Sequence, residues 1–178
     1  MGHILRGQFF RELRFDTKNI YCYNQYKFSE RRITMFIPEI PNNSLTEKIT
    51  AIAELSRELE DSCDFEYSAP NTEEEILAWE TENDIKIPEA LKDWLRFSGY
   101  SDICNELAVI RGVGGFEVGC ELVPEDMIII GEVIGDGEFI GFSSVTGKIL
   151  REDHGDITEY GSFSEFLDRF VIRMLRKS

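Results

Sequence analysis

The sequence predicts an α+β domain in which helices come first, an antiparallel β-meander follows, and one closing helix packs on one side of the sheet. Three observations carry this. Hydroxyl–x–x–Glu pairs open three segments with helical apolar spacing. After Gly99 the period changes to short β-branched and aromatic runs broken by glycine turns. At the C-terminus the helical period returns, with arginines gathered toward the end where the helix dipole is negative.

Ser44 with Glu47 predicts the first N-terminus, and Leu45, Ile49, Ile52, Leu55 and Leu59 continue a helix to about Glu60. Thr72 with Glu75 predicts the second, a short helix striped by Ile76, Trp79, Glu80 and Asn83. Glu80 falls on the packed side, where a carboxylate persists only if satisfied, so a local backbone hydrogen bond is expected for it. Pro88 suits the first turn of a third helix with Leu91, Trp94 and Leu95 inward and Gly99 as its stop. Strands are expected at Leu107–Arg111, Phe116–Val118, Met127–Ile134, Glu138–Ser143 and Lys148–Glu152, with turns at Gly114-Gly115, Asp136-Gly137 and Thr146-Gly147. Ser162 with Glu165 opens the closing helix, which turns Phe163, Phe166, Leu167, Phe170, Val171 and Met174 inward.

The 178 residues suffice for one ordinary core, and their charge is uneven. Residues 1–43 hold seven basic and four acidic side chains, are rich in Phe and Tyr, and end in the stiff run Ile37-Pro38-Glu39-Ile40-Pro41. They read as a basic N-terminal extension of unknown role. From Ser44 onward, twelve basic face thirty acidic side chains, a formal −18 within the chain's −15. Such a field repels phosphate backbones and anionic membranes and draws in basic proteins, which argues against direct nucleic-acid binding. No apolar run approaches a membrane span, so a cytoplasmic protein is expected. Cys22, Cys63, Cys104 and Cys120 form no C-x-x-C pair, and free, packed thiols are expected.

No cofactor or catalytic motif is written. Gly112-Val113-Gly114-Gly115 lacks the lysine and hydroxyl of a phosphate-binding loop and reads as a hairpin turn. Of the two histidines, only His154, within Glu152-Asp153-His154-Gly155-Asp156, could serve an enzyme or metal site centred on Asp153, His154 and Asp156; a polar turn is the simpler reading. Trp79, Trp94 and Phe97 are candidate interface anchors, with Trp94 assigned to the core by its periodicity. A binding protein rather than an enzyme is expected.

Three runs carry a resemblance: Glu75-Ile76-Leu77-Ala78-Trp79-Glu80, then Ile85-Lys86-Ile87-Pro88, then Leu91-Lys92-Asp93-Trp94-Leu95 with Ser98-Gly99. Together with Glu121–Met127, Ile140-Gly141-Phe142, Thr146–Ile149 and Ser162–Leu167, their order and spacing resemble the SUKH superfamily over roughly Leu45 to Leu175. Ser98-Gly99-Tyr100 departs from the Asn-Gly-Gly more usual there. The resemblance implies an α+β fold without an active site, used by bacteria chiefly as immunity proteins that neutralise polymorphic toxins, many of them nucleases. An interaction or scaffolding module without a toxin would look the same. The implied partner is a basic cognate toxin, and the acidic residues Glu73, Glu74, Asp136, Glu138, Asp153 and Asp156 are the candidate contacts. No metal ligand set is assigned, and the oligomeric state is not written in any motif.

Overall fold

The computed structural model describes residues 35–134 and 137–178, which belong to the second of two units into which the chain divides, Met1–Ile33 and Thr34–Ser178. Residues 35–43, grouped by composition with the N-terminal extension, here lie against the domain: Pro38 is buried, and Met35, Ile37 and Ile40 pack on the core.

Helix α1 (Thr46–Glu58) buries Ile49, Ile52 and Ala53. Its expected Ser44 capping box does not form, because the Ser44 hydroxyl donates instead to Asp93 Oδ2 at 2.5 Å. Asn43 takes over at the helix entrance, accepting the Leu45 N–H at 2.9 Å on its side-chain oxygen and donating to the Asp93 carbonyl at 3.0 Å. In α2 (Glu73–Asn83) both halves of the Thr72–Glu75 box are present. Helix α3 (Glu89–Leu95) follows Pro88 and buries Leu91, Trp94 and Leu95. It ends four residues before Gly99. That glycine is required for another reason: a Cβ there would lie 2.7 Å from the Ala69 carbonyl oxygen.

Among the described residues seven strands form one antiparallel sheet in chain order: β1 (Phe65–Tyr67), β2 (Ser101–Ile103), β3 (Ala108–Ile110), β4 (Met127–Val133), β5 (Glu138–Ser143), β6 (Ile149–Asp153) and β7 (Asp156–Tyr160). The meander is thus longer than expected. The Phe116–Val118 run forms only a single bridge, Glu117 to Ile129, after a 3₁₀ turn at Val113–Gly115 where a hairpin was expected. At the β4 bulge between Ile129 and Gly131, a Cβ on Gly131 would fall 1.9 Å from the Val109 carbonyl oxygen, so only glycine fits.

The closing helix runs from α4 (Phe163–Phe166) through a π-helical segment (Leu167–Ile172) to α5 (Arg173–Leu175). Ser162 accepts the Glu165 N–H, but Glu165 caps Gly161 N–H at 2.7 Å instead of returning to Ser162, so only half of that box forms. The helices and one sheet face share a core. Ile128, Ile130, Ile140, Phe142 and Ile149 meet Ile49, Ile76, Leu91, Trp94, Phe163 and Phe166 there. Among the described residues no helix is long and apolar enough to cross a membrane.

The expectation of free thiols is overturned for two of the four cysteines. Cys63 and Cys104 form a disulfide with Cα atoms 5.0 Å apart. The register explains it: Phe65 pairs with Ile103, so the residues just outside that pair meet, a closeness that a separation of 41 residues conceals. Cys120 is free, and Cys22 lies outside the described residues.

Candidate functional site

Following the register from strand to strand gives one row across the whole sheet: Glu66, Asp102, Val109, Glu132, Phe139, Glu152 and Ile157. Residues directly opposite on neighbouring strands share a face, so the row is a single line of side chains. It lies on the face opposite Tyr67, Ile103, Ala108, Ile140, Phe142, Ile149 and Tyr160, away from the helical core, because its members alternate with those residues along their strands and the β4 bulge shifts Glu132 out of step with Ile128. Four of its seven members are carboxylates.

Their surroundings differ. Glu152 is buried and accepts the Gly155 N–H at 2.5 Å, closing the β6–β7 turn. Glu132 is neutralised by Arg111, which also reaches Glu117. Glu66 and Asp102, at the β1–β2 end, are direct cross-strand neighbours of like charge, and among the described residues neither makes an ion pair. Such a pair is destabilising in isolation.

At that end the chain forms a cleft of about 560 Å³ lined by Asp64, Phe65, Glu66, Asp102, Asn105 and Glu106. Asn105 and Glu106 come from the β2–β3 turn, where Cys104, Asn105 and Glu106 all adopt left-handed backbone conformations, with φ of 53°, 52° and 65°. Each costs on the order of 1 kcal/mol for a non-glycine residue, so the turn needs fastening. The Cys63–Cys104 bridge supplies part of it. Asp64 and Asn105 exchange two further bonds, N–H to Oδ1 at 3.0 Å and N–H to the carbonyl at 3.1 Å. Asp102 Oδ1 accepts the Glu106 N–H at 2.7 Å. The neighbouring Tyr100 registers the field: burial, then the charges of Asp102, Glu66 and Glu106, push its phenol up against the opposing pull of Arg111.

The acidic residues singled out from sequence stand elsewhere. Glu73, at the start of α2, is held by Arg96, whose Nε donates to it at 2.5 Å; that bond keeps its carboxyl below the ordinary range despite slight desolvation. Glu74 is exposed beside it. Glu138 opens β5 at the expected bound, is buried, and receives the Arg151 Nε–H at 2.6 Å. Asp153 lies 3.5 Å from the same guanidinium and 3.1 Å from His154 Nδ1, while exposed Asp156 pairs opposite it in the β6–β7 register. Arg151 thus gathers Glu138 and Asp153, with Phe170 beneath its guanidinium at 5.0 Å. Asp136 lies outside the described residues. Among the described residues no group of three or more His, Cys, Asp or Glu is placed to hold a metal ion, the Asp153–Asp156 turn included.

Of the aromatic candidates, Trp94 and Phe97 are buried, and Trp79 is half-buried with its ring edge-on to Phe116 at 5.4 Å. Asp64, Glu66, Asp102 and Glu106 were not singled out. The available signal was the central carboxylate of two short triplets, Glu66 in Phe-Glu-Tyr and Asp102 in Ser-Asp-Ile, which become visible as paired strands only once the register is known; Asp64 and Glu106 lie just outside them.

No family model matches the chain, and no curated protein matches it.

Proposed function

We propose that this protein is a bacterial immunity protein that binds and neutralises a basic cognate toxin, with nucleases the fitting toxin class, and that it acts by binding rather than by turnover. The observation that carries this is the Glu66–Asp102 pair: like charges aligned across two strands without a counter-ion among the described residues, beside further carboxylates at Asp64 and Glu106. A cationic surface laid on them relieves their repulsion, so binding gains what folding gave up. The −18 formal charge after residue 43 would steer such a partner in quickly. The resemblance of the α2–α3 sequence to the SUKH superfamily supports the same reading.

The test uses the full chain as bait in a lysate of its native host, with the captured protein identified by mass. That protein, expressed alone, is expected to stop cell growth, and co-expression of this chain is expected to restore it. Affinity is expected to fall at least tenfold between about 50 and 500 mM salt, because screening weakens exposed charge pairs. A captured protein that is harmless alone would replace the toxin with a scaffolding partner. Affinity indifferent to salt would remove the electrostatic basis.

An immunity role places the chain in the cytoplasm, where thiols are kept reduced, whereas a standing Cys63–Cys104 bridge fits an oxidising compartment. Alkylating the thiols of protein in intact cells, then counting the modified cysteines, decides between the two.

A further inference from the structure

We propose that the sheet face which no helix covers among the described residues is the docking surface, and that its occupant is a partner segment whose cationic side chains meet Glu66 and Asp102 and whose apolar side chains meet Val109, Phe139 and Ile157. The inference rests on the reading of a basic partner and assigns it a place and an orientation. Six steps between adjacent strands, at about 4.8 Å each, put the ends of the row about 29 Å apart, the reach of an ordinary protein interface.

The row is polarised. At the β1–β2 end Glu66 is exposed and Asp102 half-exposed, adjacent and, among the described residues, without ion pairs, Asp102 accepting only the Glu106 N–H; Arg111 neutralises Glu132, and Glu152 is buried against the Gly155 N–H. Accessible negative charge without a counter-ion is therefore concentrated at one end. Along the rest, Val109 and Phe139 are half-exposed and Ile157 is 42 % exposed. Apolar groups spaced between satisfied carboxylates give a partner contact area that requires no further desolvation of unpaired charge. A uniformly cationic ligand would leave Phe139 and Ile157 unused, and an uncharged apolar one would bury Glu66 and Asp102 unpaired, which desolvation opposes. A segment that is cationic at one end and apolar toward the other matches both. Glu54 on α1 and Glu82 on α2, exposed on separate elements, serve as the charge control away from this face.

The probe is an 18-residue amphipathic peptide of lysine and leucine, lysines concentrated in its first half, titrated into the isotope-labelled 178-residue chain. Amide shifts are expected along β1, β2, β3, β5 and β7. Glu66→Gln with Asp102→Asn is expected to weaken binding at least tenfold, and Ile157→Ser about fivefold. Glu54→Gln with Glu82→Gln removes the same charge elsewhere and is expected to cost less than twofold. Asn at 102 retains an acceptor for the Glu106 N–H, and thermal melts confirm that each variant folds. Equal losses for the two double variants would overturn the docking face while leaving attraction of basic partners intact. Shifts confined to the helices, or no binding at millimolar peptide, would also overturn it. Binding that ignores both charge changes and salt would remove the basic-partner reading as well.

Discussion

Glu66 and Asp102 stand opposite one another in the β1–β2 register, two carboxylates on adjacent strands with no cation paired to either among the described residues. Directly opposed like charges destabilise a strand pair, and β1 is only three residues long, with few other cross-strand contacts to offset them. The sheet edge therefore carries a local conflict that an apolar or oppositely charged pair would not.

Removing one charge is expected to stabilise the fold. Glu66→Gln keeps the side-chain length, and by the scale of cross-strand pair energies it should add about 0.2–1 kcal/mol at low salt. The gain should shrink as salt rises and shortens the screening length. Chemical denaturation of both proteins at about 20 and 500 mM salt measures this. A loss of stability at low salt would mean that Glu66 has a favourable partner in the fold.

The Cys63–Cys104 bridge closes a loop across a sequence separation of 41 residues. Loop-closure entropy for that length gives roughly 4 kcal/mol of stabilisation, an upper figure where the reduced chain retains structure. Cys63→Ser with Cys104→Ser is expected to lower stability by about 2–4 kcal/mol, and the wild type in reductant should fall to a similar value. The amides of Asn105 and Glu106 are expected to lose exchange protection first, since the bridge fastens their left-handed turn. Unchanged stability under reductant would show that the Asp64–Asn105 bonds hold the turn unaided.

Glu80 is 6 % exposed on the packed side of α2, and its carboxylate accepts the Ile87 N–H at 2.9 Å and meets Lys86 at 3.0 Å and Lys92 at 3.4 Å. Burial pushes its carboxyl up, but these partners together outweigh burial and hold it below the ordinary value of 4.5. A depressed carboxyl contributes stability that is complete above the unfolded value and lost as pH falls through the folded one. Glu80→Gln, which leaves Lys92 in a partly buried site without its counter-charge, is expected to cost roughly 2 kcal/mol at pH 7. The difference from wild type should narrow below about pH 4.5. A penalty that stays constant from pH 7 to pH 3 would assign Glu80's contribution to shape alone.

That glutamate also marks how far the sequence could be read. Its place on the apolar stripe behind Thr72 required a local backbone bond, and the Ile87 N–H supplies it. Long periodic segments were legible in the same way: α1, α2, the inward face of the closing helix, and β5 at its observed bounds. What failed was anything set by a distant partner. Ser44 had the residue type and spacing of a cap, yet Asp93, 49 residues away, takes its hydroxyl. Strands β1, β2 and β7 are too short or too polar to show alternation, and pairing alone defines them. The candidate site depends on those pairings, so the Glu66–Asp102 contact and the cysteine bridge stayed hidden in the linear text.

Tyr67 sets the behaviour at the other end of the pH scale. It sits on β1 with its hydroxyl 3.0 Å from Ser56 Oγ, and Ser56 in turn donates to the Ile52 carbonyl inside α1, so the pair ties the edge strand to the first helix. Burial pushes the phenol up to about 12, against a smaller downward pull from the Ser56 bond. An acid whose folded value exceeds its unfolded value of 10.0 is kept protonated by the fold, so its contribution is complete below pH 10.0 and is lost as pH rises toward about 12. Over that interval the loss amounts to roughly 2–3 kcal/mol. The wild type is expected to destabilise steeply above pH 10, while Tyr67→Phe, weaker by about 1 kcal/mol at pH 7 for want of the hydrogen bond, should show a flatter alkaline limb and cross it. Parallel slopes for the two proteins between pH 10 and pH 12 would assign the alkaline transition to other tyrosines and lysines and leave the β1–α1 tie without a proton-linked role.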